Sequence, residues 1–133
     1  MSINPIKITN STPLHKRVAF LSFDGLSDPL GQSQILPYLS GLAEAGFSIT
    51  IFSCEKPLRL LAEEAPLKKQ LEAAGISWHY LIYDEQGNWR SRWQYARQLY
   101  KMVSTQHQKQ SFDLLHCRSY LAALSGKKMR RTF

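Results

Sequence analysis

Apolar residues in this chain follow two alternating rhythms. "KRVAFLSF", Lys16 to Phe23, has a continuous apolar middle, the pattern of a parallel strand covered on both faces. After a polar loop, Ile35, Leu36, Leu39, Leu42 and Ala43 recur at helical spacing, with Gly46 as a natural stop. Pro37 must then lie in about the first turn of that helix, where its missing N–H costs least. "FSITIFSC", rich in β-branched and aromatic residues, predicts a second strand. "KPLRLLAEEAPLKKQLEAAG" reads as helix, interrupted where Pro66 restarts it and capped by Gly75. "ISWHYLIY" is a third strand and "DEQGN" a turn. Trp89, Trp93, Ala96, Tyr100 and Val103 then mark one apolar helix face, expected to pack into the core, beside a stripe of Arg90, Arg97 and Lys101. "FDLLHC" is the fourth strand, and Tyr120 to Arg131 is helical in composition. The closing "TF" reads as the start of a fifth strand, so the chain looks cut short.

Strands alternating with helices, joined by connections too long for hairpins, predict parallel βαβ units with right-handed crossovers. The expected fold class is therefore α/β, a Rossmann-like doubly wound parallel sheet. Residues 1–15 mix Asn, Ser, Thr and Pro without periodicity and read as a flexible arm; residues 16–133 form one incomplete domain. The commonest doubly wound order begins 3-2-1-4, and ligands bind beyond the carboxyl ends of the strands where the order reverses. Here the reversal lies between the first and fourth strands, so "FDGLSDPLGQSQ" and "HCRSY" should wall one crevice.

Composition narrows this picture. The 133 residues, 44% apolar and 11% aromatic, suffice for one cored domain and leave no room for a second. No apolar run approaches the roughly 20 residues of a bilayer span, and the first sixteen residues lack a secretory h-region. A cytoplasmic location is expected. Of the net charge of +7, residues 86–133 carry ten Lys/Arg against Asp113 alone, so the cationic field belongs to the last third. That asymmetry suits anionic partners, including peripheral contact with an anionic membrane through the Arg90 to Lys101 helix. No helix-turn-helix, RNP or zinc-finger pattern supports nucleic acid as the partner. Cys54 and Cys117 have no C-x-x-C spacing, which excludes the usual zinc and redox patterns. Ending strands on either side of the first, they stand two strand spacings apart, about 9.6 Å, beyond the roughly 7 Å a disulfide spans.

The candidate chemistry follows from the two loops. Gly25 and Gly31 permit positive φ or close backbone approach, Ser33 is a candidate N-cap, and a helix N-terminus would offer N–H groups to an anion. The Walker A pattern fails, because five residues separate the glycines and Gln32 replaces the lysine; G-x-G-x-x-G is absent too. A turn that merely needs glycine explains the same residues. In the second loop, His116, Arg118 and Ser119 offer an imidazole, a guanidinium fork and a cap hydroxyl. His116 is readable either as a structural histidine or as a ligand contact. Asp24 and Asp28 could accept a hydroxyl proton or simply form the turn.

"FDGLSDPLGQSQILPYLSGLAEAGFSITIFSCEKP", with "GISWHYLIY" and "FDLLHCRSYLAAL", resembles the N-terminal domain of family-4-like glycosyltransferases of the GT-B fold. The likeness is to a bacterial branch with a D-G-L-x-D-P-L-G-Q-S-Q loop, and runs from about Arg17 to the end. The resemblance implies retaining, metal-independent transfer from a nucleotide-sugar donor, with no further cofactor, to a lipid-linked or polysaccharide acceptor. It implies an acceptor-side role for this domain, with Gly31 and its neighbours near the donor diphosphate. The candidate catalytic residues are His116 and Asp24; Gly25, Asp28, Gly31, Gln32, Ser33, Arg118 and Ser119 are the candidates for holding substrate or donor phosphate. The donor-binding half of such enzymes is not in this sequence, so the chain alone is expected to be inactive. Many relatives carry a histidine pair after the fourth strand; here Arg118 stands in "HCR", leaving open which position meets the transferred sugar. A stand-alone nucleotide- or phosphate-binding module without catalysis is the alternative.

Overall fold

A computed structural model of the chain describes residues 16–84, 87–118 and 127; the expected arm at 1–15, the expected helix at 120–131 apart from Lys127, and the expected start of a fifth strand lie outside them. Four strands, β1 (Arg17–Ser22), β2 (Ser48–Glu55), β3 (Ser77–Ile82) and β4 (Leu114–Arg118), form one sheet in the order β3-β2-β1-β4. Every neighbouring pair is parallel, with Phe20 opposite Ile51 on one side and His116 on the other. Three helices connect them: α1 (Leu36–Glu44), α2 (Pro57–Ala74) and α3 (Trp89–Lys109). The expected α/β class and strand order are both present.

Right-handed crossovers decide which face each helix covers. The first two connections add strands in one direction, so α1 and α2 share a face. Ile35, Leu36, Leu39, Leu67 and Leu71 pack there on Val18, Phe20, Ile49 and Ile51. The third connection reverses direction, and α3 sets Leu99 and Val103 on Ala19, Leu21, Phe52 and Cys54 across the sheet. β1 and β2 are thus apolar on both faces, which is why their sequences read as continuous apolar runs.

The helix ends obey their glycines. Gly75 follows α2 in the left-handed conformation at φ 73°, and Gly46 follows α1 at φ 105°. Pro37 is the second residue of α1, which directly follows a π turn. The expected break at Pro66 is absent, and α2 runs unbroken from Pro57 to Ala74. Pro66 and Ala62 are both exposed, so the Ala62 carbonyl that loses its partner can bond to water.

The aromatic stripe of α3 needs a second correction. Ala96, Leu99 and Val103 are buried, but Trp89 and Trp93 are 66% and 50% exposed. Core packing starts at Ala96, and the first two turns of α3 lie outside it. Asn88 caps this helix by accepting the Ser91 amide at 3.1 Å. No helix among the described residues is long and apolar enough to cross a membrane.

At the β2–β3 edge His79 stacks on Phe52, ring centroids 5.4 Å apart. Burial, and then the Lys109 charge, push its pKa below the ordinary 6.5. Below about pH 6.5 the unfolded chain therefore binds more protons than the folded one at this site, and stability falls as pH drops through that range. His79→Gln is expected to flatten the pH 5–7 part of a plot of unfolding free energy against pH. An unchanged slope contradicts this assignment.

Candidate functional site

The loop after β1 is held from below by Glu55, the last residue of β2, which is fully buried. One carboxylate oxygen accepts the Ser27 amide at 3.0 Å and the Ser27 hydroxyl at 2.6 Å. The other accepts the Leu26 amide at 2.8 Å and the Ser53 hydroxyl, which itself accepts the Trp78 indole N–H at 2.9 Å. Burying a carboxylate costs several kcal/mol unless its lone pairs are met; here two N–H and two O–H donors meet them. Sequence reading missed Glu55. The available signal was a carboxylate closing a central strand that has no solvent-facing side.

Both loop glycines serve this close packing. A Cβ on Gly25 would stand 2.6 Å from the Glu55 carboxylate, and one on Gly31 would stand 2.2 Å from the Gly25 carbonyl. Neither has positive φ. Gln32 is also tied into the loop, its amide side chain donating to the Ser27 carbonyl at 3.1 Å while its backbone N–H donates to Asp28 at 3.0 Å. Arg59 reaches the same Ser27 carbonyl at 3.2 Å.

Ser33 is not an N-cap. Helical backbone begins at Pro29, and Ser33 sits inside a π turn, Gly31–Ile35, that runs into α1. The wider turn relieves the clash between the Pro37 ring and the carbonyl four residues earlier. The turn also presents Gln34 and Tyr38 toward β4; neither was among the expected site residues, because the register that exposes them depends on the π turn.

The end of β4 meets the loop after β1. Arg118, at the end of β4, donates from Nε to Asp24 at 3.3 Å and from a terminal nitrogen to Gln34 at 3.4 Å. Both members of the Arg118–Asp24 pair are more than a third exposed, so it adds little stability. Its value is geometric. Ser119 lies outside the described residues.

On one side of this pair is a cleft of about 320 Å³, walled by Phe20, Tyr38, His116, Gln34 and Arg118. His116 is half-buried, its ring edge-on to Phe20 and Tyr38 at 4.9 and 5.7 Å. Among the described residues neither of its nitrogens has a hydrogen-bond partner. On the other side a cleft of about 890 Å³ runs over the carboxyl ends of β1, β2 and β3. Asp24, Asp28, Asp84, Lys56, Arg59 and Tyr83 give it polar groups, and Pro29, Leu30 and Leu58 an apolar wall. Asp28 pairs with Lys56 at 3.5 Å.

Both cysteines are free thiols, as their strand positions require. Burial, and then the Glu55 charge, push Cys54 up to about 12; burial alone raises Cys117. Neither is a ready nucleophile. Among the described residues no group of His, Cys, Asp and Glu is arranged to hold a metal ion.

The packing role of the glycines separates two substitutions. Gly31→Ala forces backbone apart and is expected to cost about 1–3 kcal/mol. Gly41→Ala, in α1 with nothing within 4 Å of the new methyl group, is expected to stabilise by about 0.5–1 kcal/mol. Urea unfolding measures both, and a Gly31→Ala midpoint at or above wild type contradicts the close approach. Compared with known proteins, the chain matches no family profile, no curated protein and no solved structure.

Proposed function

We propose that this chain supplies the acceptor-side wall of a GT-B-type glycosyltransferase site. Sugar passes there from a nucleotide-sugar donor, without a metal ion, to a lipid-linked acceptor, and the donor-binding wall comes from a further α/β domain. The observation that carries the reading is the contact of Arg118 with Asp24 at 3.3 Å, which joins the β1 and β4 loops at the reversal of strand order between two clefts. Ligands of doubly wound sheets bind at this point. The resemblance in the Asp24 to Gln34 loop narrows the ligand to a sugar-transfer pair; fold alone would not.

Each residue then has a task. Asp24, partly exposed, accepts a hydrogen bond or proton from an acceptor hydroxyl. His116, its ring held by Phe20 and Tyr38, presents a nitrogen to the transferred sugar. Arg118 offers N–H donors to phosphate. A lipid-linked acceptor is favoured over a free polysaccharide by the wall of the larger cleft. Leu30 and Leu58 lead from its carboxylates toward solvent, where Leu58 and Leu61, one turn apart on α2, are 81% and 83% exposed. The exposed Trp89 and Trp93 lie on α3, whose 21 residues hold five Lys/Arg and no carboxylate, suited to an anionic membrane face.

Titration of the isotope-labelled chain with a nucleotide sugar and with its free nucleotide, followed by NMR, tests the reading. The nucleotide sugar is expected to move resonances of Asp24, Gln34, His116 and Arg118, including ones the nucleotide leaves in place. Identical responses to both ligands identify a nucleotide-binding module instead, and no response at these residues removes the proposal. In a parallel arm, vesicles containing anionic lipid are expected to sediment the chain at low salt and neutral ones not; equal sedimentation refutes the membrane contact.

A further inference from the structure

A helix entrance beside a glycine loop is usually where a phosphate binds. In this chain the loop's donors already have an anion. The Leu26 and Ser27 amides and the Ser27 and Ser53 hydroxyls converge on one carboxylate, each of its oxygens receiving one N–H and one O–H. That is the donor set of a small oxyanion site. Gly25 makes room for the occupant, because a Cβ there would overlap the carboxylate.

We propose that Glu55 is the resident anion of the β1 loop: it fills this oxyanion site from within the chain, so an anionic ligand of the crevice is confined to the β4 side, at Arg118. The first half of the proposal stands on the Glu55 contacts alone; the second rests on the crevice reading above. Glu55 touches neither cleft, so it is a positioning residue. By fixing Leu26 and Ser27 it sets the path of the chain between Asp24 and Asp28.

Donor occupancy makes the partition. At the ends of β1 and β2, Lys56 is set against Asp28 at 3.5 Å and Arg59 donates to the Ser27 carbonyl at 3.2 Å. A phosphate entering there would find the Leu26 and Ser27 amides taken and a buried negative charge behind them. On the β4 side Arg118 is about one-third exposed and lines the smaller cleft with the Gln34 amide. A ligand carrying a phosphate is thereby oriented with that group toward β4. This arrangement departs from the expectation that Gly31 and its neighbours hold the diphosphate.

The test uses the full chain and two variants. Glu55→Ala empties the site and is expected to lower Tm by about 10 °C in sodium chloride. Sodium formate at the same ionic strength should recover part of that loss, growing with the logarithm of its concentration. Wild type should melt alike in both salts. Glu55→Gln fills the space but sets an NH2 group against donors; it should melt low with no recovery. A Glu55→Ala chain that melts, or fails to fold, identically in chloride and formate overturns the resident-anion assignment. In wild type, pyrophosphate should move the Arg118 Nε–H resonance and leave the Leu26 and Ser27 amides in place. Shifts at Leu26 and Ser27 overturn the partition. A silent Arg118 beside intact formate rescue overturns the crevice reading while leaving Glu55 as the resident anion.

Discussion

The position of β1 between β2 and β4 in an all-parallel sheet is the constraint on which the other features depend. Once β2 and β3 have been added on one side by right-handed crossovers, β4 can join either the free edge of β3 or the opposite edge of β1, and it takes β1. That reversal places α3 on the opposite face from α1 and α2, encloses β1 on both faces, and brings the loop after β1 beside the end of β4. The Asp24–Arg118 contact follows from this arrangement and does not cause it. An ion pair this exposed could not hold two loops together against an unfavourable strand order.

The second organising contact is internal to the first loop. Glu55 carries a buried charge whose desolvation is offset only because four donors reach it, and two of those are backbone amides of the loop. The conformation of Leu26 and Ser27 is therefore coupled to the end of β2. The two glycines belong to the same device, since one admits the carboxylate and the other lets the π turn lie against the loop's own backbone. What looks in sequence like a ligand loop is first of all a tightly packed junction, and its cleft-facing groups are the side chains at its edges.

Much of the fold was legible because β1 and β2 are buried on both faces and read as apolar runs, and the breakers Gly46 and Gly75 stand where positive φ is needed. Strand order was expected from the commonest arrangement of doubly wound sheets, which begins 3-2-1-4. The failures have physical causes. Pro66 was read as a break because sequence does not reveal that the carbonyl it orphans faces water. Trp89 and Trp93 share the period of Ala96 and Val103, but period says nothing about how far the sheet extends beneath a helix. In the site, His116, Arg118 and Asp24 were found through strand ends and topology. Glu55 was not, because a single acidic residue at a strand terminus looks solvated until the loop that buries it is in place. Gln34 and Tyr38 were missed because a π turn shifts the face they present.

The two clefts differ in character. One is small and aromatic with a guanidinium at its mouth; the other is larger, with three carboxylates and an apolar exit. A transfer reaction needs two ligands of unlike chemistry side by side, and a crevice divided by one ion pair suits that need. All of it presupposes that β4 lies against β1. Interstrand backbone NOEs in the labelled chain measure this most directly: contacts from Ala19, Phe20 and Leu21 to Leu115, His116 and Cys117 in a parallel pattern are predicted. Contacts placing β4 beside β3, or an antiparallel pattern against β1, would contradict the shared crevice and the functional reading built on it.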